Sequence, residues 1–218
     1  MAVITISREL GSEGSYIASH TAQALGYALV DKKVIEHVLS QYGYVQFGKD
    51  YETAPNIWER MDSNKGNMIS MLNRVLQAMA SYGNVVILGR GSFAVLGDFT
   101  DVLNVRLQAP LSVRIRRIMA ERSIKDMDIA EALVRESDKV RSAFIQSWYG
   151  VRWDQADAFD LVIDTSKVRP DQAVKWIIDA QQGLKDLRIS FKPTTQSIQV
   201  DRILAGTVAD ALNALLVP

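Results

Sequence analysis

The sequence predicts an α/β protein in which helices cover both faces of a five-stranded parallel sheet. Short apolar runs typical of buried strands alternate with longer segments whose apolar residues recur at helical spacing. The first run also leads through a glycine-bearing loop directly into a helical segment, a layout that favours phosphate binding. The predicted strands are 2–6, 27–30, 85–88, 102–107 and 160–164.

The composition narrows the class of protein further. The chain has 218 residues, zero net charge and no cysteine. Its length suits one domain with its own core, and the balanced charge argues against a nucleic acid as its main partner. The lack of cysteine excludes disulfides, thiolate nucleophiles and cysteine-ligated zinc. No signal peptide or membrane span is recognised, so we expect a cytoplasmic protein without a membrane partner.

The loop after the first strand, "ISRELGSEGSYIA" at 6–18, is the main candidate for a phosphate site. Compared with the Walker A pattern G-x-x-x-x-G-K-[ST], it has Ser15 at the hydroxyl position. Arg8 replaces the first glycine, Glu13 the second, and Gly14 the lysine. Two interpretations stay open. The backbone N–H groups hold a phosphate while Arg8 supplies the missing charge, or the loop merely joins a strand to a helix.

A second glycine stretch suggests a dinucleotide fingerprint, but its context does not support one. "VVILGRGSFA" at 85–94 has Gly89 and Gly91 in G-x-G spacing after a strand. That fingerprint needs an acidic residue at the end of the next strand, which here ends in "VRLQAP". The two histidines, His20 and His37, lie within helical patterns, which leaves little material for a triad or a histidine metal site.

Helical spacing recurs between and after the predicted strands. One helix, at 127–149, is expected to bury a single face. The predicted helices are 15–25, 68–82, 110–123, 127–149 and 169–184. The residues assigned to that buried face are Ile129, Leu133, Val140, Phe144 and Trp148.

The C-terminal residues differ in character from the rest. We predict a domain over 1–184 and an extension over 185–218, in which "LRISF" forms a strand and 196–216 a helix. The apolar stripe of this helix needs a surface to cover it, either the main domain or a second copy in a homodimer. The stripe is Val200, Leu204, Val208 and Leu212.

Together these pieces resemble the cytidylate kinase-like family of P-loop nucleoside monophosphate kinases, from residue 3 to about 168. The family's own loop has glycine where the Walker lysine would be, so Gly14 follows it. Glu13 and Ser15 depart from the family's glycine and arginine. The resemblance implies a three-layer P-loop kinase fold with a helical lid at about 120–150. The matching segments are 4–18, 24–35, 85–92, 107–118, 135–141 and 159–168.

The resemblance implies a kinase that transfers the γ-phosphoryl group of ATP, with Mg²⁺, to CMP or a similar nucleoside monophosphate. Phosphoryl transfer depends on positioning and positive charge, which arginines supply here. The expected catalytic residues are Arg8, Arg114 and Arg141. The expected ATP-binding residues are Gly11, Ser12, Glu13, Gly14 and Ser15, with Ser15 also at the metal. The expected acceptor-binding residues are Asp31, Arg90 and Arg135.

Alternatives stay open at two positions. Asp31 is also suited to capping the helix that follows it. Glu13 brings a carboxylate near the expected phosphates. In one alternative, this carboxylate turns outward or pairs with Arg8 or another arginine, and the N–H groups stay available. In the other, it occupies the anion site itself. A nucleotide-binding regulatory protein without turnover is therefore the second hypothesis.

Overall fold

A five-stranded parallel sheet forms the centre of the computed structural model, which describes residues 2–45, 63–184 and 193–216. The strand order is β2-β3-β1-β4-β5, so β1 is central and pairs in parallel with both β3 and β4. The five-stranded parallel sheet that the sequence predicts is confirmed. The strands are β1 (Val3–Arg8), β2 (Ala28–Val30), β3 (Val85–Leu88), β4 (Val102–Gln108) and β5 (Leu161–Asp164).

Helices cover both faces of this sheet, which confirms the three-layer fold. Neighbouring residues of a strand point to opposite faces, so Val3 joins one core cluster and Ile4 the other. Among the described residues, no helix combines the length and apolar character that crossing a membrane would require. The helices are α1 (Gly14–Leu25), α2 (Lys32–Gln41), α3 (Ser63–Tyr82), α4 (Ser92–Leu96), α5 (Leu111–Glu121), α6 (Met127–Tyr149), α7 (Pro170–Leu184) and α8 (Arg202–Leu216).

The buried face of α6 differs from the prediction in its first half. Ala130 and Val134 are fully buried in a cluster with residues of α5. Ile129 and Leu133 are 55% and 37% exposed, so their assignment to the buried face was wrong. The first half of α6 packs against α5, and its last turns pack against the main core. The buried face of the first half is therefore shifted by about one residue position from the face buried at the end of the helix. Val140 and Phe144 are buried as predicted.

The helix α8 begins later than predicted, at Arg202, because the Asp201 carboxylate accepts hydrogen bonds from the N–H groups of the first turn. Its apolar stripe packs in the same cluster as α2, α3 and β2, so the main domain supplies the covering surface. The strand predicted at 187–191 lies outside the described residues. The buried stripe is Leu204, Val208 and Leu212.

Candidate active site

The loop from Glu9 to Glu13 leaves the central strand at its carboxyl end and leads into α1. It is a tightly packed turn. Gly11 has a φ of 80°, and a Cβ there would lie 2.8 Å from the carbonyl oxygen of Arg114. The buried hydroxyl of Ser12 donates to the Glu9 carbonyl at 2.8 Å and closes the turn. Glycine is therefore required at position 11 by both conformation and space.

Glu13 is the N-cap residue of α1 and has left-handed backbone, with a φ of 62°. Its carboxylate oxygen lies 3.4 Å from Nε of Arg117. Arg117 also donates to the Gly11 carbonyl at 3.1 Å and to the Thr165 carbonyl at 2.7 Å. Of the arrangements considered from the sequence, the structure therefore shows Glu13 paired with an arginine, and that arginine is Arg117.

Arg8, the last residue of β1, runs between the two glycine-bearing turns. A Cβ on Gly14 would lie 2.5 Å from its Cγ, and a Cβ on Gly89 would lie 2.0 Å from its Nη1. These glycines therefore leave the space that the arginine side chain fills. The sequence indicated glycines for phosphate contact, but at these two positions their observed effect is to accommodate Arg8.

The second turn holds Arg90 at the carboxyl end of β3. Arg90 has a φ of 57° between two glycines that also have positive φ. Its side chain is only 6% exposed, and its Nη2 donates to Oε1 of Glu36 at 2.8 Å. The ammonium of Lys32 lies 3.8 Å from the same oxygen. The guanidinium is thus fixed by a carboxylate from α2.

Two adjoining cavities open at this edge of the sheet, and Arg8 and Arg141 line both. Their volumes are about 430 Å³ on the side of the first loop and about 280 Å³ on the side of Arg90. Two molecules bound there would meet at these shared arginines. The larger cavity is lined by Arg8, Glu9, Leu10, Gly11, Glu13, Gly14, Ser15, Tyr16, Arg117, Ala120, Glu121 and Arg141. The smaller is lined by Arg8, Lys32, Leu88, Arg90, Leu133, Glu136, Ser137, Val140 and Arg141.

A buried ion network beneath the loop was missed in the sequence. The Glu9 carboxylate accepts from Nη2 of Arg106 at 3.1 Å and from the Ala109 N–H at 3.0 Å. Arg106 lies under the ring of Trp153, 4.7 Å from its centroid. Burial lowers the pKa of Arg106, against the opposing effect of Glu9. An arginine within the mostly apolar strand "VLNVRL" was the signal that could have pointed to this network.

The residue after β5, Thr165, contacts Arg117, which lines the larger cavity. Nη1 of Arg117 donates to the Thr165 hydroxyl at 3.0 Å. Next to it, Asp164 accepts from the Ser166 N–H at 2.8 Å. Hydrogen bonds from Ser166 lower the pKa of this carboxyl. The segment "DTS" thus forms a rigid turn against the arginine that holds the loop.

The predicted site residues divide into two groups. Gly11, Glu13, Gly14 and Ser15 line the larger cavity, Arg90 lines the smaller one and Arg141 lines both, whereas Ser12 is buried in the turn. The binding and catalytic roles given to these residues stay predictions. The exposed Arg135 donates instead to Glu131 at 2.7 Å. Asp31 caps α2, accepting from the N–H groups of its first turn at 2.8 and 3.1 Å. The substrate roles given to these two residues stay predictions.

The third catalytic candidate, Arg114, is 6% exposed and turned toward protein groups. Its Nε donates to the Ala109 carbonyl at 2.9 Å, and its Nη1 lies 2.8 Å from Oδ2 of Asp138. These contacts give Arg114 a structural position beneath the loop. Its predicted catalytic role is not tested by them and stays a prediction.

The parallel sheet and the loop after its central strand define the chain as a protein of the three-layer P-loop kinase fold, with arginine-lined cavities at the edge of the sheet. A model of the cytidylate kinase-like family matches residues 3–167, so the chain belongs to this family. It is 30% identical to the cytidylate kinase of Pyrobaculum aerophilum over 182 residues, covering 82% of this chain and 92% of that one. It is 26% identical to the cytidylate kinase of Halobacterium salinarum over 181 residues, covering 82% and 88%.

A solved structure shares the fold. An uncharacterized protein from Eubacterium ventriosum superposes with a TM-score of 0.67 at 19% identity, covering 84% of this chain and 99% of that one. At this identity, the similarity concerns the architecture alone.

Proposed function

We propose that the protein transfers the γ-phosphoryl group of ATP to CMP or a similar nucleoside monophosphate. The observation that carries this proposal is the pair of adjoining cavities that share Arg8 and Arg141. Phosphoryl transfer needs little covalent chemistry from the protein. It needs two substrates held in line and positive charge around the transferred oxygens.

The larger cavity is the proposed donor site. Backbone N–H groups between Gly11 and Ser15, together with the N-terminus of α1, are suited to hold phosphates. Gly14 supplies no cation, so Arg8 and Arg141 take the place of the Walker lysine in this proposal. Guanidinium groups bind phosphate oxygens in a bidentate manner, which suits that substitution.

The donor site also fits Mg²⁺ in the manner usual for ATP-dependent kinases. Among the described residues, no cluster of three or more acidic, histidine or cysteine side chains could hold a metal alone. The exposed hydroxyl of Ser15 borders the cavity and would be the protein ligand, with the remaining positions taken by phosphate oxygens and water. The ion would neutralise charge on the transferred group.

The smaller cavity is the proposed acceptor site. Arg90 would bind the acceptor phosphate, since Glu36 already fixes its guanidinium at 2.8 Å. Leu88, Leu133 and Val140 provide an apolar wall on which a base could pack. Predominantly apolar walls with a few fixed polar groups are typical of small-molecule sites.

Glu13 favours a second candidate function. Glu13 lines the proposed phosphate site, where a negative charge opposes binding. A protein that binds a nucleotide as a signal without turning it over would tolerate such a loop. Because Arg117 already pairs with this carboxylate at 3.4 Å, we regard the kinase as better supported.

The test is product formation. Purified protein with ATP·Mg²⁺ is incubated with CMP, UMP, dCMP or AMP in turn, and the diphosphate products are separated chromatographically. We expect transfer to at least one pyrimidine monophosphate. The control is Arg152→Ala, which removes an exposed arginine paired with Asp154 and should leave the rate unchanged. ATP binding by calorimetry without any product would favour the regulatory function, and absence of both would overturn both candidates.

A further inference from the structure

One guanidinium, that of Arg114, joins the phosphate loop to the helix that carries Arg141. From this junction we infer that the Arg114–Asp138 ion pair is a positioning device. It couples the loop to α6 and thereby sets Arg141 between the two cavities. The inference rests on the proposed phosphotransferase function, because the position of Arg141 matters only if a group passes between the cavities.

On the loop side, Arg114 contacts two consecutive residues of the loop. Arg114 lies 3.2 Å from the Glu9 carboxylate through Nε and donates to the Leu10 carbonyl at 3.4 Å through Nη1. The loop also rests on the α5 backbone at Gly11, where no side chain would fit. A shift of the loop at Glu9 and Leu10 therefore alters contacts made by the Arg114 guanidinium.

On the helix side, the same Nη1 is 2.8 Å from Oδ2 of Asp138. Asp138 lies one turn before Arg141, and Ser137 next to it accepts a hydrogen bond from Nη1 of Arg141. Residues three apart on a helix share a face, so anchoring Asp138 also fixes the direction in which Arg141 projects. Both Ser137 and Arg141 line the smaller cavity.

The pair is not optimised for stability alone. Across the described part of the chain, Oδ1 of Asp138 is buried and accepts no hydrogen bond. A buried carboxylate oxygen without a donor is unfavourable, and such groups often have a functional explanation. Replacing Asp138 by asparagine removes this buried charge, while Arg114 keeps Glu9 as its counter-charge. The substitution should therefore leave the fold intact.

The first experiment measures hydrogen exchange in ligand-free protein. In Asp138→Asn, amides of 9–13 and of 138–149 should both exchange about tenfold faster, while the strands stay protected. The matched control is Asp128→Asn, the same change on an exposed turn of α6. Faster exchange in α6 alone, in neither segment, or uniformly across the chain would overturn the coupling. If Asp138→Asn does not fold, Arg114→Lys is measured against the same criteria, because an amine cannot span both partners.

The second experiment separates positioning from a structural role. In Asp138→Asn, kcat should fall about 10- to 100-fold while KM for ATP rises by a smaller factor, since a misplaced cation slows the chemical step more than it weakens phosphate binding. In an Arg141→Ala background, the same substitution should cause no further fall. An independent, additive loss would overturn the inference. If the wild type forms no product, the proposed function fails, and the exchange experiment still decides whether the loop and helix are coupled.

Discussion

Two glycine-bearing turns lie side by side in this molecule, after the paired strands β1 and β3. Each places a charged, non-glycine residue in left-handed backbone close to a helix N-terminus. In the first turn this residue is Glu13, with a φ of 62°, and in the second it is Arg90, with a φ of 57°. The backbones are alike and the charges are opposite.

Under the proposed function, similar local geometry serves two kinds of anion binding. In the first turn, a full helix of three turns follows, and the backbone N–H groups are suited to receive the anion. There the side chain opposes the anion and is neutralised by Arg117. In the second turn the helix has only 5 residues, and the side chain of Arg90 provides the charge. We therefore expect side-chain substitutions to have large effects in the second turn and small ones in the first.

The largest effect is expected for Arg90. Arg90→Ala should lower kcat/KM for the acceptor by about 10²- to 10³-fold, because the fixed cation proposed to hold the acceptor phosphate is lost. Arg90→Gly should lose as much activity but gain stability over Arg90→Ala by about 1 kcal/mol, since glycine adopts positive φ without strain. Steady-state kinetics and thermal unfolding measure the two quantities separately. An unchanged acceptor KM and rate in both variants would remove Arg90 from the site.

An intermediate effect is expected where both turns meet Arg8. Gly89→Ala places a Cβ against Nη1 of Arg8 in backbone with a φ of 79°, so it should reduce stability by about 1–2 kcal/mol and displace the guanidinium. Gly14→Ala meets the less flexible stem of Arg8, at Cβ and Cγ. Both variants should lower kcat, and neither should lower it further in an Arg8→Ala background. Full additivity with Arg8→Ala would show that these glycines act independently of that arginine.

The smallest effect is expected for Glu13. Glu13→Gly should bind ATP·Mg²⁺ about three- to tenfold more tightly, because a negative charge near a helix N-terminal phosphate site is removed. Glu13→Gln separates the causes, since it removes the charge but keeps a side chain in left-handed backbone. Calorimetric titrations at one salt concentration compare the three proteins. Equal or weaker affinity in both variants would mean that this carboxylate does not oppose phosphate.

Several features of the site were predictable from short stretches of sequence. A strand that leads through a glycine-bearing loop into a helix was expected from the apolar run before Gly11 and Gly14. Arg90 stood out because it lies between two glycines directly after a strand. Asp31 had two local interpretations, and its capping contacts with α2 match one of them. Each of these predictions depends on residues close together in the chain.

Other features depend on contacts between distant segments and were missed. Glu9 is held by Arg106, 97 positions away, and Arg114 by Asp138 on another helix. The same applies to the face of α6. Its apolar pattern allowed a stripe through Ile129 and Leu133, and packing against α5 buried Ala130 and Val134 instead.

By itself, the sequence determined the order of strands and helices, the two glycine turns and the set of arginines that could hold phosphate. Hydrophobic spacing and glycine conformation act over a few residues, so these features can be recognised without a structure. Only the tertiary structure decided the direction of each arginine. A long guanidinium side chain reaches several acceptors, and the buried carboxylates and carbonyls brought in by other elements determine its partner. For this reason Arg8, Arg90 and Arg141 border the cavities, whereas Arg114 lies beneath the loop.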